Sequence, residues 1–168
     1  SQIKTMDDFF YNPTKGRLTF NQVIAEIENY INENPEREYE LIVGCDSSSG
    51  KEPFFPVCVV LLRKGRGGRF FLKRIQYPKK KFYSFKERVL QEVFLSCQLA
   101  LDLKEILEKK FSQKNHKFSF KYIHADVGEN GATKEMVKEV INLIRSNGFE
   151  PKIKPEAFVA SIVADRYC

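Results

Sequence analysis

Long apolar runs are missing from this 168-residue chain. No stretch approaches the ~20 consecutive apolar residues needed to span a bilayer, so no membrane role is expected. The opening, Ser1-Gln2-Ile3-Lys4-Thr5, lacks the charged-then-apolar pattern of a secretory signal. Cysteine is sparse. Cys45, Cys58, Cys97 and Cys168 form no CxxC pair and no secreted-type framework, which points to reduced thiols and a cytoplasmic protein. Histidine is limited to His116 and His124, too few to expect a structural zinc site. The serines at 47–49 have no identifiable histidine–acid relay, which argues against a nucleophilic triad. Repeats, linkers and low-complexity segments are absent as well.

What remains is the composition of one globular domain with a real core, 42% hydrophobic and 30% charged. The net charge of +6 is unevenly placed. Residues 63–88 carry eleven lysines and arginines against a single acid, Glu87, so the rest of the chain is net negative. Such a local excess suits a phosphate backbone, and nucleic acid, RNA or DNA, is the expected partner. Arg69, Lys73, Lys79, Lys80 and Lys81 are the candidate contacts. Phe70, Phe71, Tyr77, Phe82 and Tyr83 interleave these charges, and some of those rings belong to the core. The plainer alternative is a solvated hairpin.

Residues 1–18 are expected to be an irregular arm, broken by Pro13 and Gly16, ahead of one domain over 19–168. Thr19-Phe20-Asn21-Gln22 reads as a capping box opening a helix that stops before Pro35. Strands are expected at about 40–46, 57–63 and 70–77, with Pro53 and Pro56 marking a break and the glycines at 65–68 a turn. Ser84-Phe85-Lys86-Glu87 caps a long helix to about Lys110. A fourth strand spans about 118–126. Thr133 is placed to cap a helix to Asn147, closed by Gly148. A short extended segment, 151–155, precedes a last helix over 156–167.

Two carboxylates occupy the most informative positions. Asp46 and Asp126 each follow a short apolar run and precede a turn. An acid at the mouth of a core strand is costly without a cationic partner. Two such strands side by side would make a divalent-metal site on a rigid sheet. On the long helix, Glu92 shares a face with Val89, Ser96, Leu99, Ala100 and Leu103, whereas Glu87 lies opposite and is explained as a cap residue. Glu92 is therefore the candidate third ligand, the alternative being a solvent-edge pair with Arg88. Asp165, in the last helix, is a weaker candidate. His124 could position water or phosphate, or simply pack in the core. Hard oxygen ligands suit Mg²⁺ or Mn²⁺, and a pair of such ions ~4 Å apart can activate a water and stabilise a departing oxyanion. Asp46 is the acid suited to bridge them.

The order of elements and acids resembles the ribonuclease H-like fold. Gly44-Cys45-Asp46-Ser47, the helix over 87–100, His124-Ala125-Asp126-Val127-Gly128 and above all the tail Pro151-Lys152-Ile153-Lys154-Pro155-Glu156-Ala157-Phe158 with Ala164-Asp165-Arg166-Tyr167 make the chain similar to the bacterial YkuK family of that group. The resemblance implies a five-stranded mixed sheet in order 3-2-1-4-5 with helices on both faces and an extra N-terminal helix. It also implies that Asp46, Glu92 and Asp126 match the first three acids of the nuclease pattern and Asp165 the late one. The expected function is a metal-dependent nuclease or phosphodiesterase. The alternatives are a noncatalytic nucleic-acid-binding module of the same fold, and an interaction protein whose acids form salt bridges.

Overall fold

Burial is nearly continuous along β4 (Glu38–Cys45) and β5 (Phe54–Arg63), so both faces of the sheet are covered at its centre. The structure, a computed structural model, describes residues 5–6, 9–111, 117–159 and 162. The remaining strands are β1 (Thr5–Met6), β2 (Phe10–Asn12), β3 (Gly16–Leu18), β6 (Gly68–Gln76), β7 (Lys117–His124) and β8 (Glu150–Lys152). They form one mixed sheet in the order β3-β2-β6-β5-β4-β7-β8, with β1 also paired to β6. From β6 to β8 this is the third-second-first-fourth-fifth order expected of the five main strands. The β4–β5 and β5–β6 pairs are antiparallel, whereas the β4–β7 and β7–β8 pairs are parallel.

The sheet is larger than those five strands because residues 10–18 are a hairpin rather than an irregular arm. Tyr11 pairs with Leu72 and covers part of the edge that β6 would otherwise expose. Asn12 holds the hairpin. Its amide donates to the Phe70 carbonyl at 2.9 Å, and its side-chain oxygen accepts from the amides of Thr14 and Lys15. Gly16 supplies the positive φ, 75°, of the turn. Pro56 lies inside β5 instead of breaking it. It sits beyond Val57, the last residue paired to β4, where a missing N–H costs little.

Three bounded α-helices lie within the described residues: α1 (Phe20–Glu33), α2 (Phe85–Phe111) and α3 (Val137–Ser146). The Thr19–Gln22 capping box opens α1. Thr133 does not cap α3. Its hydroxyl accepts from the Gly128 amide at 3.0 Å, and a 3₁₀ turn over Lys134–Met136 intervenes. The apolar faces of all three helices join one core with Leu41, Val43, Cys45, Val57, Val59, Leu61 and Ile123. The helices therefore share one face of the sheet. On the opposite face Ile42, Cys58, Val60 and Leu72 are covered by Phe158, Val159 and Ile162. Most of the helix expected over 156–167 lies outside the described residues.

That second face depends on a close approach at Gly44. A Cβ there would meet Val159 Cβ and Cγ1 at 2.8 Å and the His124 carbonyl oxygen at 3.2 Å. Gly44→Ala is expected to lower stability by about 1–3 kcal/mol in urea titration, as overpacking does. Adding Val159→Ala, which removes Cγ1 but keeps Cβ, should restore part of the loss; strictly additive losses would mean that the Cγ1 overlap is not what destabilises Gly44→Ala.

Candidate active site and nucleic-acid interface

The register of β4 and β7 builds the site. Gly44 pairs with His124 in parallel, and each strand ends within one residue of that pair. Two residues further along each chain come Asp46 and Asp126, which therefore leave the same end of the sheet side by side. Burial, then the charge of Asp126, push the Asp46 carboxyl up to about 6, while Lys154 and Arg88 pull it back. Lys154 Nζ lies 3.2 Å from Asp126 Oδ1.

α2 brings Glu92 in from the helical face. It is 6% exposed, which removes the solvent-edge alternative. Arg88 does not pair with it but donates to the Ser48 carbonyl at 2.9 Å. Glu92 Oε2 accepts from the Ser47 amide at 2.8 Å and from its hydroxyl at 2.5 Å. Burial raises the Glu92 carboxyl to about 8; the Ser47 hydrogen bonds oppose this, and the charges of Asp46 and Asp126 add to it. One turn on, the Ser96 hydroxyl donates to the Glu92 carbonyl. Burial, then Glu92 and Asp46, keep the neighbouring Cys45 a thiol.

The charge of Asp126 thus acts on both Asp46 and Glu92, and that of Asp46 on Glu92. Asp165 lies outside the described residues. Among those residues, no group of three or more acidic, histidine or cysteine side chains is gathered closely enough to hold a metal. Ser47 engages Glu92 and Lys154 engages Asp126. His124 is a packing residue. Its Nδ1 accepts the Phe158 amide at 3.0 Å and its ring meets Phe158 edge-on. Burial, then Lys152, lower it to about 4, so it stays neutral.

The basic stretch 63–88 is split between the two ends of the sheet. Arg63 pairs across from Tyr39, seven residues before Asp46, on the order of 20 Å away at ~3.3 Å per residue. There Arg63 stacks on Tyr30, donates to the Tyr39 hydroxyl and pairs with Glu33, and Lys64 pairs with Glu38. Arg69 also lies over Tyr30, at 4.4 Å, and Lys73 over Phe10, at 5.1 Å. Lys79 and Lys81 are exposed, and Lys80 lies over Phe82. These three follow β6 at the Asp46 end, where the Phe82 amide donates to the Lys51 carbonyl at 2.8 Å.

Ser47, Arg88 and Lys154 complete the site, and sequence reasoning gave them no such role. Ser47 adjoins Asp46, which is a usable signal. Lys154 lies in the tail that carries the resemblance, but no local pattern gives it a role; the tail delivers it, the Ala125 amide donating to the Lys152 carbonyl and the Lys154 amide to the Val127 carbonyl.

Residues 22–168 match the family described as Ribonuclease H-like, and the chain belongs to that family. It is also similar to the uncharacterized protein YkuK of Bacillus subtilis (strain 168). The two are 28% identical over 167 residues, covering 94% of this chain and 95% of that protein. No solved structure matches the chain. Family membership suggests a role connected with nucleic acid. No helix among the described residues is long and apolar enough to cross a membrane.

Glu92 gives a pH signature. Its folded value near 8 lies above its ordinary 4.5, so the folded state holds an extra proton between those limits. Its contribution to stability therefore falls as pH rises through that window. In chelator, Glu92→Gln, which mimics the protonated acid, should gain on wild type by roughly 2–4 kcal/mol between about pH 5 and pH 8.5 in urea unfolding. A gap independent of pH would mean that Glu92 titrates as an exposed carboxyl.

Proposed function

We propose that the protein is a metal-dependent nuclease or phosphodiesterase acting on nucleic acid. The observation that carries this is the convergence of Asp46, Asp126 and Glu92 from two parallel strands and a helix, at the end of the sheet that also bears the lysines at 79–81. The donors are all carboxylate oxygens, and Mg²⁺ commonly takes only one or two carboxylates plus substrate phosphates. Asp46 and Asp126 fit that description and would hold Mg²⁺ or Mn²⁺, with Glu92 behind them. Such an ion supplies an activated water and charge stabilisation for a departing oxyanion. Asp165 is proposed as a further acid of the same set. Lys154 and Arg88 balance the carboxylates in the resting protein and are proposed to meet an arriving phosphate. Lys79, Lys80 and Lys81 are proposed to hold the backbone, Lys73, in the same row of the sheet as Cys45, to add a contact near them, and Arg69 to add one only where a substrate extends along the sheet. Cys45, Cys58 and Cys97 are free and buried, which fits a reducing, cytoplasmic setting.

A noncatalytic nucleic-acid-binding module is the second possibility. What favours it is the engagement of Glu92 by Ser47 and of Asp126 by Lys154.

The deciding experiment is cleavage of labelled single-stranded, duplex and hybrid oligonucleotides in Mn²⁺ or Mg²⁺, with chelation as control. Wild type should cut at least one of them, and Asp46→Asn should abolish turnover with binding kept. Cleavage by Asp46→Asn at the wild-type rate would assign the activity elsewhere; binding without cleavage of any substrate would leave the binding module.

Binding itself should weaken linearly in log–log salt titration, with a slope of about −0.7 to −0.9 per phosphate contacted. Replacing Lys79, Lys80 and Lys81 together by alanine should make that slope shallower by roughly two to three contacts. An unchanged slope would remove these lysines from the interface.

A further inference from the structure

The loop that leaves Asp46, residues 47–54, gathers aromatic rings that the core does not use. Tyr83 is 70% exposed, Phe85 46% and Phe54 39%. Each carries a cation: Lys51 Nζ lies 5.4 Å from the Tyr83 ring centroid, Arg88 5.3 Å from that of Phe85 and Arg74 4.8 Å from that of Phe54. All three rings are tied to one loop. Ser48 and Phe54 exchange hydrogen bonds, the Lys51 carbonyl accepts the Phe82 amide, and Arg88 donates to the Ser48 carbonyl. The same loop begins with Asp46 and with Ser47, the partner of Glu92. Phe55, Tyr77 and Phe82 pack against one another in the core beneath it and give it a firm base.

Exposed rings on a solvated loop lose apolar burial unless something covers them, and cations over their faces mark π-surfaces open to a planar partner. Bases within a duplex are already stacked on one another and offer no free face. Unpaired bases do, and rings interleaved with lysines are what a single strand requires. We propose that residues 47–54 and 79–88 form a platform for single-stranded nucleic acid, in which Tyr83 and Phe85 stack on bases, Lys51, Lys79 and Lys81 take phosphates, and the backbone is led to Asp46. This deepens the nuclease reading and rests on it for the last step alone. Stacking displaces Lys51 and Arg88 from the ring faces and frees them for the strand's phosphates. Phe54, the first residue of β5, continues the platform at the Asp46 end of the sheet.

The test is fluorescence anisotropy in chelator, so that nothing is cut, with a labelled mixed-sequence single strand as DNA and as RNA and with the matching duplexes. Single strands should bind more tightly than duplexes at equal salt. Tyr83→Ala and Phe85→Ala should each weaken single-strand binding about tenfold, with the salt slope and melting temperature unchanged. Tyr83→Phe should retain binding, and Lys51→Ala should make the slope shallower. Single-strand binding by the double alanine variant at wild-type affinity, or a preference for duplex, overturns the platform even if metal-dependent cleavage is found. Tyr83-dependent binding of single strands without cleavage in any metal upholds the platform and removes the nuclease. No binding to any oligonucleotide at low salt removes both.

Discussion

The parallel pairing of β4 with β7 is the constraint on which the rest of the molecule turns. Its register, Gly44 against His124, fixes which residues leave the sheet together, and these are Asp46 and Asp126. A slip of one residue would send each strand's side chains to the wrong faces and part the two carboxylates. The register is held from both sides. Leu41, Val43 and Cys45 are locked beneath the helices, and Ile42 lies under the C-terminal segment. Gly44 lets Val159 approach closely enough to close that second face.

Holding acids together at the end of a sheet has an electrostatic cost, and the structure meets it with specific partners. Ser47 turns its amide and hydroxyl to Glu92, Lys154 faces Asp126, and Arg88 stands near Asp46. The balance is incomplete: burial first, and the neighbouring carboxylates after it, make Asp46 and Glu92 hold their protons to higher pH than free carboxyls do. A cation bound beside them would oppose both effects by favouring the charged forms. This links the electrostatics to the proposed chemistry, and the ribonuclease H-like family supplies the frame.

The tail has a structural part in this arrangement. Residues 152–154 are stitched to the exit of β7 by backbone hydrogen bonds. Lys154 Cβ lies where a Cβ on Gly128 would meet it at 3.0 Å, so a side chain there would push the tail back by a few tenths of an ångström. Phe158 then closes over His124, donating its amide to a ring nitrogen that burial keeps unprotonated. His124 thereby supports the site from behind.

Much of this was legible in the chain itself. Short apolar runs ending in turns located four of the five main strands, and a 3.6-residue pattern the long helix, because burial is written locally into a sequence; the fifth strand was legible only as a short extended segment over 151–155. The same helical phase put Glu92, and not Glu87, toward the core. The hairpin at 10–18 was not legible, since Asn12 is satisfied by Phe70, 58 residues away. Nor was the division of the basic stretch, because a hairpin sends residues 63–69 to one end of the sheet and brings 79–88 back to the other. Lys154 reaches Asp126 only because parallel β8 runs beside β7. The sequence by itself determined which segments become strands and helices and which acids stand at their ends, since those follow from neighbours a few residues apart. Which acids meet, which cations balance them and which aromatics stay uncovered were decided only by the tertiary structure, since charge and burial act across space between residues the chain keeps far apart.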